Sequence, residues 1–112
     1  MTEKSEKVIQ GEIMHALSMN GCTVFRTNAG KVRLANGGVV ELLPKGYPDL
    51  TGFRKSDGKF VVIEVKKATG RLSEHQKKFA EWAKTQPIIY GVARSKEDAI
   101  HIIENGLNGY GV

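Results

Sequence analysis

The chain has 112 residues, enough for one domain built around one hydrophobic core. Apolar residues make up 40% and charged residues 26%, which is typical of a folded globular protein and excludes an intrinsically disordered chain. The net charge of +5 favours a polyanionic partner. No apolar run approaches the roughly 20 residues that a membrane-spanning helix needs.

The cysteine content and the amino-terminal sequence indicate a compartment. Cys22 is the only cysteine, which excludes a disulfide framework and a thiolate zinc cluster. The first ten residues, MTEKSEKVIQ, mix both charges without an apolar stretch, so no secretory signal is expected there. These features favour a reducing, cytoplasmic setting.

The first predicted element is a helix over residues 3–20, because apolar side chains recur at helical spacing from Ile9 to Leu17. The pair Asn20-Gly21 supplies the signal that ends it. Residues 23–26 form a short strand candidate directly afterwards.

Two hairpins are predicted next. The first joins residues 31–34 and 39–43 around the turn sequence Ala35-Asn36-Gly37-Gly38. The segment Gly46-Tyr47-Pro48 then breaks the chain. The second hairpin joins residues 49–54 and 59–67 around residues 55–58.

The carboxy-terminal half reads as helix, strand and helix. Ser73 is the expected N-cap of a helix to residue 84, with Gln76 in a capping-box position. Residues 88–93 form an apolar strand, and Ser95 caps a last helix to residue 104. The final eight residues, NGLNGYGV, are glycine-rich and are expected to fray. The predicted order is αββββαβα, an α/β fold with a mixed β-sheet flanked by helices.

Strand alternation places two charged side chains together. In the segment FVVIEVK, Val61, Ile63 and Val65 share one face of the strand, whereas Glu64 and Lys66 share the other. The apolar face is expected to pack on the core.

The turn of the second hairpin decides what lies opposite Glu64. If residues 55–58 form the loop, paired residue numbers sum to 113, and Asp49 lies opposite Glu64. A two-residue turn at Asp57-Gly58 makes the sum 115 and places Asp49 opposite Lys66. Both registers leave Asp49, Glu64 and Lys66 on one face of the sheet.

Two opposed carboxylates repel each other unless a cation lies between them. Carboxylate oxygens suit Mg²⁺ or Mn²⁺, which activate water and neutralise charge on a phosphate. Lys66 is placed to orient or deprotonate the attacking water, or to stabilise the transition state. The alternative is an ordinary exposed strand in which Asp49 is a cross-strand salt-bridge partner. The flanking sequence favours the metal site.

Three segments resemble the VRR-NUC branch of the PD-(D/E)XK nucleases. They are RTNAG (residues 26–30), GYPDLTG (46–52) and VVIEVKKATGRLSEHQ (61–76). They are similar to the family's R-x-N-x-G segment, its G-x-P-D-L-x-G segment, and its E-V-K strand with a G-x-L-S-x-x-Q helix start. The resemblance extends from the first helix to Gln76. The first position of the VRR motif that gives the family its name is not matched, because this chain has IEVKK there.

This resemblance implies a restriction-endonuclease-like fold over residues 1–112 and metal-dependent DNA endonuclease activity. It implies that Asp49, Glu64 and the Val65 main-chain carbonyl hold Mg²⁺ or Mn²⁺. Lys66 is then catalytic, and Gln76 completes the active site. Short stand-alone members, typical of phages, are similar to Holliday junction resolvases and act as homodimers, which implies a bacterial or phage-infected host cell.

The family also has a glutamate on its first helix, and two residues compete for that position. Glu6 lies three residues before Ile9 and seven before Ile13, which places it on the inward-facing stripe, whereas Glu12 points toward solvent. We assign Glu6, which also fits the family's E-x-x-I-Q arrangement. The alternative is that Glu6 is only a first-turn acid favoured by the helix dipole.

Polar and basic residues around the site are the predicted DNA contacts, because such side chains neutralise or position phosphates. They are Arg26, Asn28, Lys31, Arg33, Lys45, Lys67 and Arg71. The aromatic residues nearby are interpreted as packing residues: Tyr47 in its loop, and Phe79 and Trp82 in the core or in a dimer contact.

The sequence thus supports several functions. The first is a structure-specific DNA endonuclease that acts on junctions, and flaps or nicks are alternative substrates. The second is a non-catalytic DNA-binding module that retains the nuclease fold. The third is a small protein-interaction domain, which would bind neither metal nor DNA.

Overall fold

The fold is known from a computed structural model that describes residues 3–27 and 31–112. The elements along the described residues are α1 (Glu6–Met19), β1 (Cys22–Arg26), β2 (Lys31–Arg33), β3 (Val39–Glu41), β4 (Leu50–Arg54), β5 (Phe60–Val65), α2 (Glu74–Ala83), β6 (Ile89–Ala93), α3 (Lys96–Glu104) and β7 (Asn108–Tyr110). No helix in this described part is long and apolar enough to cross a membrane.

Five strands form a mixed sheet in the order β1-β4-β5-β6-β7. The pairs β1–β4 and β4–β5 are antiparallel, whereas β5–β6 and β6–β7 are parallel. Apolar side chains of α1 and α3 pack on one face of the sheet, and those of α2 pack on the other face. The predicted α/β class, a mixed sheet flanked by helices, is therefore confirmed.

Each helix begins at a serine that satisfies a free backbone N–H. The hydroxyls of Ser5, Ser73 and Ser95 accept hydrogen bonds from the backbone three residues further on. At Ser73 the capping box is complete, as predicted, because Gln76 also accepts from the Ser73 backbone N–H. The serines therefore fix where the three helices start.

Two details of the predicted order are wrong. Five strands, not four, lie between α1 and α2, because the short candidate after α1 is a full strand of the main sheet and β2–β3 is a separate two-stranded sheet. The glycine-rich carboxy-terminal segment forms β7 instead of fraying. Asn108 donates to the carbonyls of Ala83 and Gln86 at the end of α2, and Tyr110 donates to Asp98. These tertiary bonds anchor a segment that lacks local helix or strand signals.

The β4–β5 register is the first of the two predicted alternatives. Leu50 pairs with Ile63 and Phe53 with Phe60, so the paired residue numbers sum to 113. The side chains of Val61, Ile63 and Val65 are buried against α1 and α3. Residues with even numbers on β5 consequently face α2, and the candidate site lies where this face meets the ends of the strands.

Candidate active site

Asp49 lies at the start of β4 and is held by two neighbouring segments. Its carbonyl accepts a 2.8 Å hydrogen bond from the Thr27 backbone, which continues the β1–β4 ladder. Its carboxylate Oδ2 accepts a 2.8 Å bond from the Val65 N–H on β5. One carboxylate oxygen is thereby fixed by the sheet, and Oδ1 is not used by that bond.

Pro48 explains why the Val65 carbonyl is available as a ligand. Continuing the register beyond Leu50 places Pro48 opposite Val65, since 48 and 65 also sum to 113. The N–H and C=O of one residue in an extended strand point to the same neighbour, and the Val65 N–H points toward Asp49. Pro48 has no N–H to donate to this carbonyl. The proline therefore interrupts the ladder beside the Asp49 carboxylate.

Glu64 is a buried carboxylate, with only 2% of the residue exposed. Burial, and then the facing carboxyl group of Asp49 at hydrogen-bonding range, raise the pKa of Glu64 to about 9, while the ammonium group of Lys66 acts in the opposite direction. Ionising Glu64 is unfavourable because the carboxyl group is buried and lies beside a second acid. Raised carboxyl pKa values of this kind are concentrated at functional sites.

Gln76 connects α2 to this acid pair. Its Oε1 accepts a 2.8 Å bond from the Ser73 backbone in the capping box, and its Nε2 lies 3.4 Å from Glu64 Oε2. The capping box therefore fixes the orientation of the amide, so that the NH₂ group faces Glu64. One side chain begins the helix and also positions the carboxylate.

Lys66 places an ammonium group beside Glu64 and Glu6. Its Nζ lies 3.9 Å from Glu64 Oε2 and 4.0 Å from Glu6 Oε1, and its side chain is only 11% exposed. These separations are long for direct hydrogen bonds, so the ammonium group lies between the two acids without being bound tightly to either. Among residues 3–27 and 31–112 it has no closer acceptor, which leaves its donors available to a substrate oxygen or water.

The structure separates the two competing glutamates of α1. Glu6 lines the same cleft as Asp49 and approaches Lys66, whereas Glu12 pairs with Lys4 at 2.9 Å. The side chain of Glu6 is 46% exposed, so the expectation that it belongs to the inward-facing stripe is only partly met. Glu6 reaches the site because it lies in the first turn of α1, above the ends of β4 and β5.

The cleft beside Asp49 has a volume of about 370 Å³ and mainly polar walls. Its lining residues are Glu6, Lys7, Gln10, Arg26, Thr27, Asp49 and Val65. Lys7, Gln10 and Thr27 were not among the predicted site residues, because the helical stripe and the strand register place them at the cleft only after the chain has folded. The Thr27 hydroxyl lies 2.8 Å from that of Thr51, which continues the polar surface along β4.

The predicted DNA contacts do not form one cluster. Arg26 lines the cleft, and Lys67 is exposed directly after Lys66. The exposed residues Lys31 and Arg33 lie on the separate two-stranded sheet. Lys45 and Arg71 line two other grooves, and Asn28 lies outside the described residues.

Arg94 is a site-supporting residue that the sequence did not indicate. Its Nη1 donates to the carbonyls of Lys67 and Gly70 at 2.7 Å and lies 3.3 Å from that of Ala68. A Cβ atom on Gly70 would lie 3.2 Å from Glu6 Oε1 and 3.4 Å from Lys66 Cδ. Arg94 therefore holds the loop after β5 against Lys66. The sequence gives no signal for this role, because Arg94 directly follows β6 and contacts a loop 24 to 27 residues away in the chain.

Gly46 brings the loop before Asp49 into contact with α2. It has a φ angle of +93°, and a Cβ atom there would lie 2.5 Å from the backbone carbon and oxygen of His75. We expect Gly46→Ala to reduce the free energy of unfolding by about 2–4 kcal/mol, from left-handed strain and overpacking together. Chemical denaturation of both proteins measures this, with Gly58→Ala as a control that has the same strain (φ +71°) without the contact. Equal losses for both variants would contradict the close approach.

Fold and site together define a class of protein: a restriction-endonuclease-like α/β domain in which two carboxylates and a lysine meet at the ends of neighbouring strands. The model of the VRR-NUC domain matches residues 40–97, which is 58 of the 112 residues and includes Asp49, Glu64, Lys66 and Gln76. The chain belongs to the VRR-NUC family. Domains of this family are nucleases, so the function of the chain is of the nuclease type, with DNA as the substrate.

A solved structure described as a VRR-NUC domain matches with a TM-score of 0.65 at 18% sequence identity. The match covers 93% of this chain and 100% of that chain. At this identity the likeness shows the fold alone. A search of curated proteins finds no significant match.

Proposed function

We propose that the protein is a metal-dependent endodeoxyribonuclease that hydrolyses phosphodiester bonds in branched DNA. The observation that carries the proposal is the facing pair of carboxylates, one of them buried, with Lys66 directly beside them. A strand that served only as structure would gain nothing from a buried acid with a second carboxylate at hydrogen-bonding range. A cation between them would offset that cost.

The donor set suits Mg²⁺ or Mn²⁺. It consists of Asp49, the Val65 main-chain carbonyl and Glu64, all hard oxygen donors on adjacent strands. The described residues contain no group of three or more His, Cys, Asp or Glu side chains arranged for a metal. Two carboxylates are sufficient for Mg²⁺, which usually keeps several waters. When bound, the cation would supply an acidified water and charge neutralisation at the phosphate.

The chain's own residues would perform the remaining tasks. Lys66 has free donors beside the acids, where it would orient the attacking water and stabilise negative charge on the phosphate. Gln76 would hold Glu64 in place through its amide. Glu6 and Arg26 line the cleft from two other elements, and Arg26 would neutralise a neighbouring phosphate.

Branched DNA and a homodimer are the finer parts of the proposal. The family members that the sequence resembles are similar to junction resolvases. A two-fold dimer would present two sites to opposing strands of a symmetric junction. The unpaired, buried Cys22 agrees with action in the cytoplasm of a bacterial or phage-infected cell.

A cleavage panel tests the proposal. Four-way junctions, flaps, nicked duplex and plain duplex are incubated with the protein in Mg²⁺, Mn²⁺ or EDTA, and its molar mass is measured in solution. We expect metal-dependent cutting of branched DNA in preference to plain duplex, and a mass twice that of the chain. Cutting that continues in EDTA would contradict the metal-dependent mechanism.

Pro48→Ala tests whether the Val65 carbonyl is a metal ligand. The new N–H would be placed to donate to that carbonyl and to restore the interrupted ladder. We expect Mn²⁺ to bind about tenfold more weakly by calorimetry, which corresponds to about 1.4 kcal/mol, while the stability without metal is maintained. Pro44→Ala is the control, since Pro44 lies in the same loop outside the described lining of the cleft. Unchanged Mn²⁺ affinity in Pro48→Ala would remove Val65 from the ligand set.

A further inference from the structure

A second groove lies beside the candidate active site, between the loop before β4 and the outer surface of α2. It has a volume of about 400 Å³. The residues that define it are Lys45, Tyr47, His75, Lys78, Phe79 and Trp82. Of the two sequence interpretations of Trp82, a core residue or a dimer contact, the first does not hold, because the residue is 54% exposed.

The aromatic side chains of this groove form a connected cluster of edge-to-face contacts. The ring of Phe79 packs edge-to-face on Tyr47, Trp82 and the buried Tyr90, with centroid distances of 5.2, 5.5 and 5.6 Å. These contacts hold Tyr47 and Trp82 in fixed positions on either side of Phe79. The indole of Trp82 is held in place and is still exposed, so a planar ligand can stack on it.

The charges of the groove are positive. Lys45, His75 and Lys78 are exposed, and none of the described residues that line the groove carries a carboxylate. Fixed aromatic rings interleaved with cationic side chains are the combination that binds single-stranded nucleic acid, because bases stack on the rings and phosphates pair with the cations. A protein partner would require acidic residues to match the same charges.

Among the described residues, the groove and the cleft at Asp49 share no lining residue, but residues that line the groove are close neighbours in the chain of candidate site residues. Tyr47 lies two residues before Asp49, so their Cα atoms are at most about 7 Å apart. The Tyr47 hydroxyl accepts a 3.3 Å hydrogen bond from Thr51. On the other wall His75 directly precedes Gln76, which contacts Glu64. The groove therefore lies close enough to Asp49 for a DNA strand cut there to extend into it.

We propose that this groove binds unpaired nucleotides of the DNA substrate, with a base stacked on Trp82 and phosphates neutralised by Lys45 and Lys78. The proposal rests on the proposed nuclease function, and it names the part of the substrate that the site distinguishes. DNA with a single-stranded segment next to the cleaved bond would bind better than uninterrupted duplex. The competing occupant is a second copy of this chain.

The first test uses the fact that Trp82 is the only tryptophan in the chain. Its fluorescence reports directly on the groove. The wild-type protein is titrated with a 12-nucleotide oligo-dT in EDTA, which prevents cleavage, and we expect strong quenching because stacked bases quench an indole. Saturable binding of the oligonucleotide without quenching would contradict the proposal.

The second test compares variants by the anisotropy of fluorescein-labelled oligo-dT. We expect Trp82→Ala to bind about tenfold more weakly and Trp82→Phe to bind nearly as well as the wild type, since an aromatic ring is retained. Lys78→Ala should bind more weakly and lower the slope of affinity against salt by about one. Lys55→Ala, which removes an equal charge at the far end of β4, should leave both quantities unchanged.

Two results would overturn the groove proposal. One is wild-type affinity for oligo-dT in Trp82→Ala. The other is a dimer that dissociates in Trp82→Ala, measured by sedimentation, while each protomer binds oligo-dT as before. The proposed nuclease function fails separately: normal quenching together with no cleavage of any DNA contradicts the nuclease and leaves the groove intact.

Discussion

Replacing Lys66 by alanine is expected to lower the rate of DNA cleavage by about 10³-fold or more and to leave DNA affinity nearly unchanged. The magnitude follows from removing one positioned electrostatic or proton-transfer group, each of which contributes about 10²- to 10⁴-fold. The ammonium group is 11% exposed and lies between Glu64 and Glu6. It is therefore too enclosed to supply much of the affinity for the DNA backbone, and its loss should appear in single-turnover cleavage rates.

Lys67→Ala is the matched control for this prediction. It removes the same side chain from the next position, but Lys67 is exposed, whereas the Lys66 side chain is only 11% exposed. We expect Lys67→Ala to retain the cleavage rate of bound substrate and to bind DNA somewhat more weakly, with a smaller salt dependence. Cleavage by Lys66→Ala at the wild-type rate would eliminate the proposed role of Lys66.

The core of the site could be predicted because strand geometry has a short period. Alternation in β5 places Glu64 and Lys66 together, and the turn length leaves only two registers for Asp49. The structure has the register in which Asp49 faces Glu64. Local signals therefore specify which side chains share a face, and the roles assigned to these residues remain predictions.

Other features depend on contacts between distant segments and have no local signal. The carboxy-terminal strand is held by Asn108 on the end of α2, and the sequence NGLNGYGV alone indicates only flexibility. Arg94 acts on a loop 24 to 27 residues away in sequence. The exposure of Trp82 depends on where α2 ends relative to the sheet, which helical periodicity does not determine.

The effect of Pro48 on the sheet can be read only from the structure. In the sequence it is a chain break before a strand. In the sheet it stands opposite Val65 and leaves that carbonyl without a ladder partner from β4. The sequence shows that a proline is present, but only the strand register shows which carbonyl loses its hydrogen-bond partner.

Neutralising either acid is expected to stabilise the metal-free protein and to abolish its stabilisation by metal. Asp49→Asn and Glu64→Gln keep the shape of each side chain, and the amide oxygen introduced by Asp49→Asn would still be able to accept from the Val65 N–H. Both substitutions remove the conflict between the two acids, because Glu64, with its pKa raised to about 9, must take up a proton when the protein folds at neutral pH. In the wild type, Mn²⁺ at about 100 times its dissociation constant should add about 2.7 kcal/mol to the free energy of unfolding. Neither variant should show this gain in denaturation experiments.

The stability of the metal-free protein should fall as the pH rises from about 4.5 to about 9. The pKa of Glu64 is about 9 in the folded protein and near its ordinary value of 4.5 in the unfolded chain. Between these values unfolding releases a proton, so the metal-free protein loses stability as the pH rises, by up to about 1.4 kcal/mol per pH unit. Glu64→Gln should remove this slope. Saturating Mn²⁺ should oppose it in the wild type, since binding requires the deprotonated acids.

Asp57→Asn is a control with the opposite sign. Arg54 and the Lys59 backbone lower the pKa of Asp57 to about 2 through hydrogen bonds, so this acid stabilises the fold when ionised. Its contribution is present above the ordinary pKa and is lost as the pH falls toward 2. Asp57→Asn should therefore destabilise the protein, whereas Glu64→Gln should stabilise it at neutral pH because glutamine needs no proton uptake on folding. If Glu64→Gln instead destabilised the metal-free protein at neutral pH, the two acids would not be in conflict, and the structural argument for a cation between them would be lost.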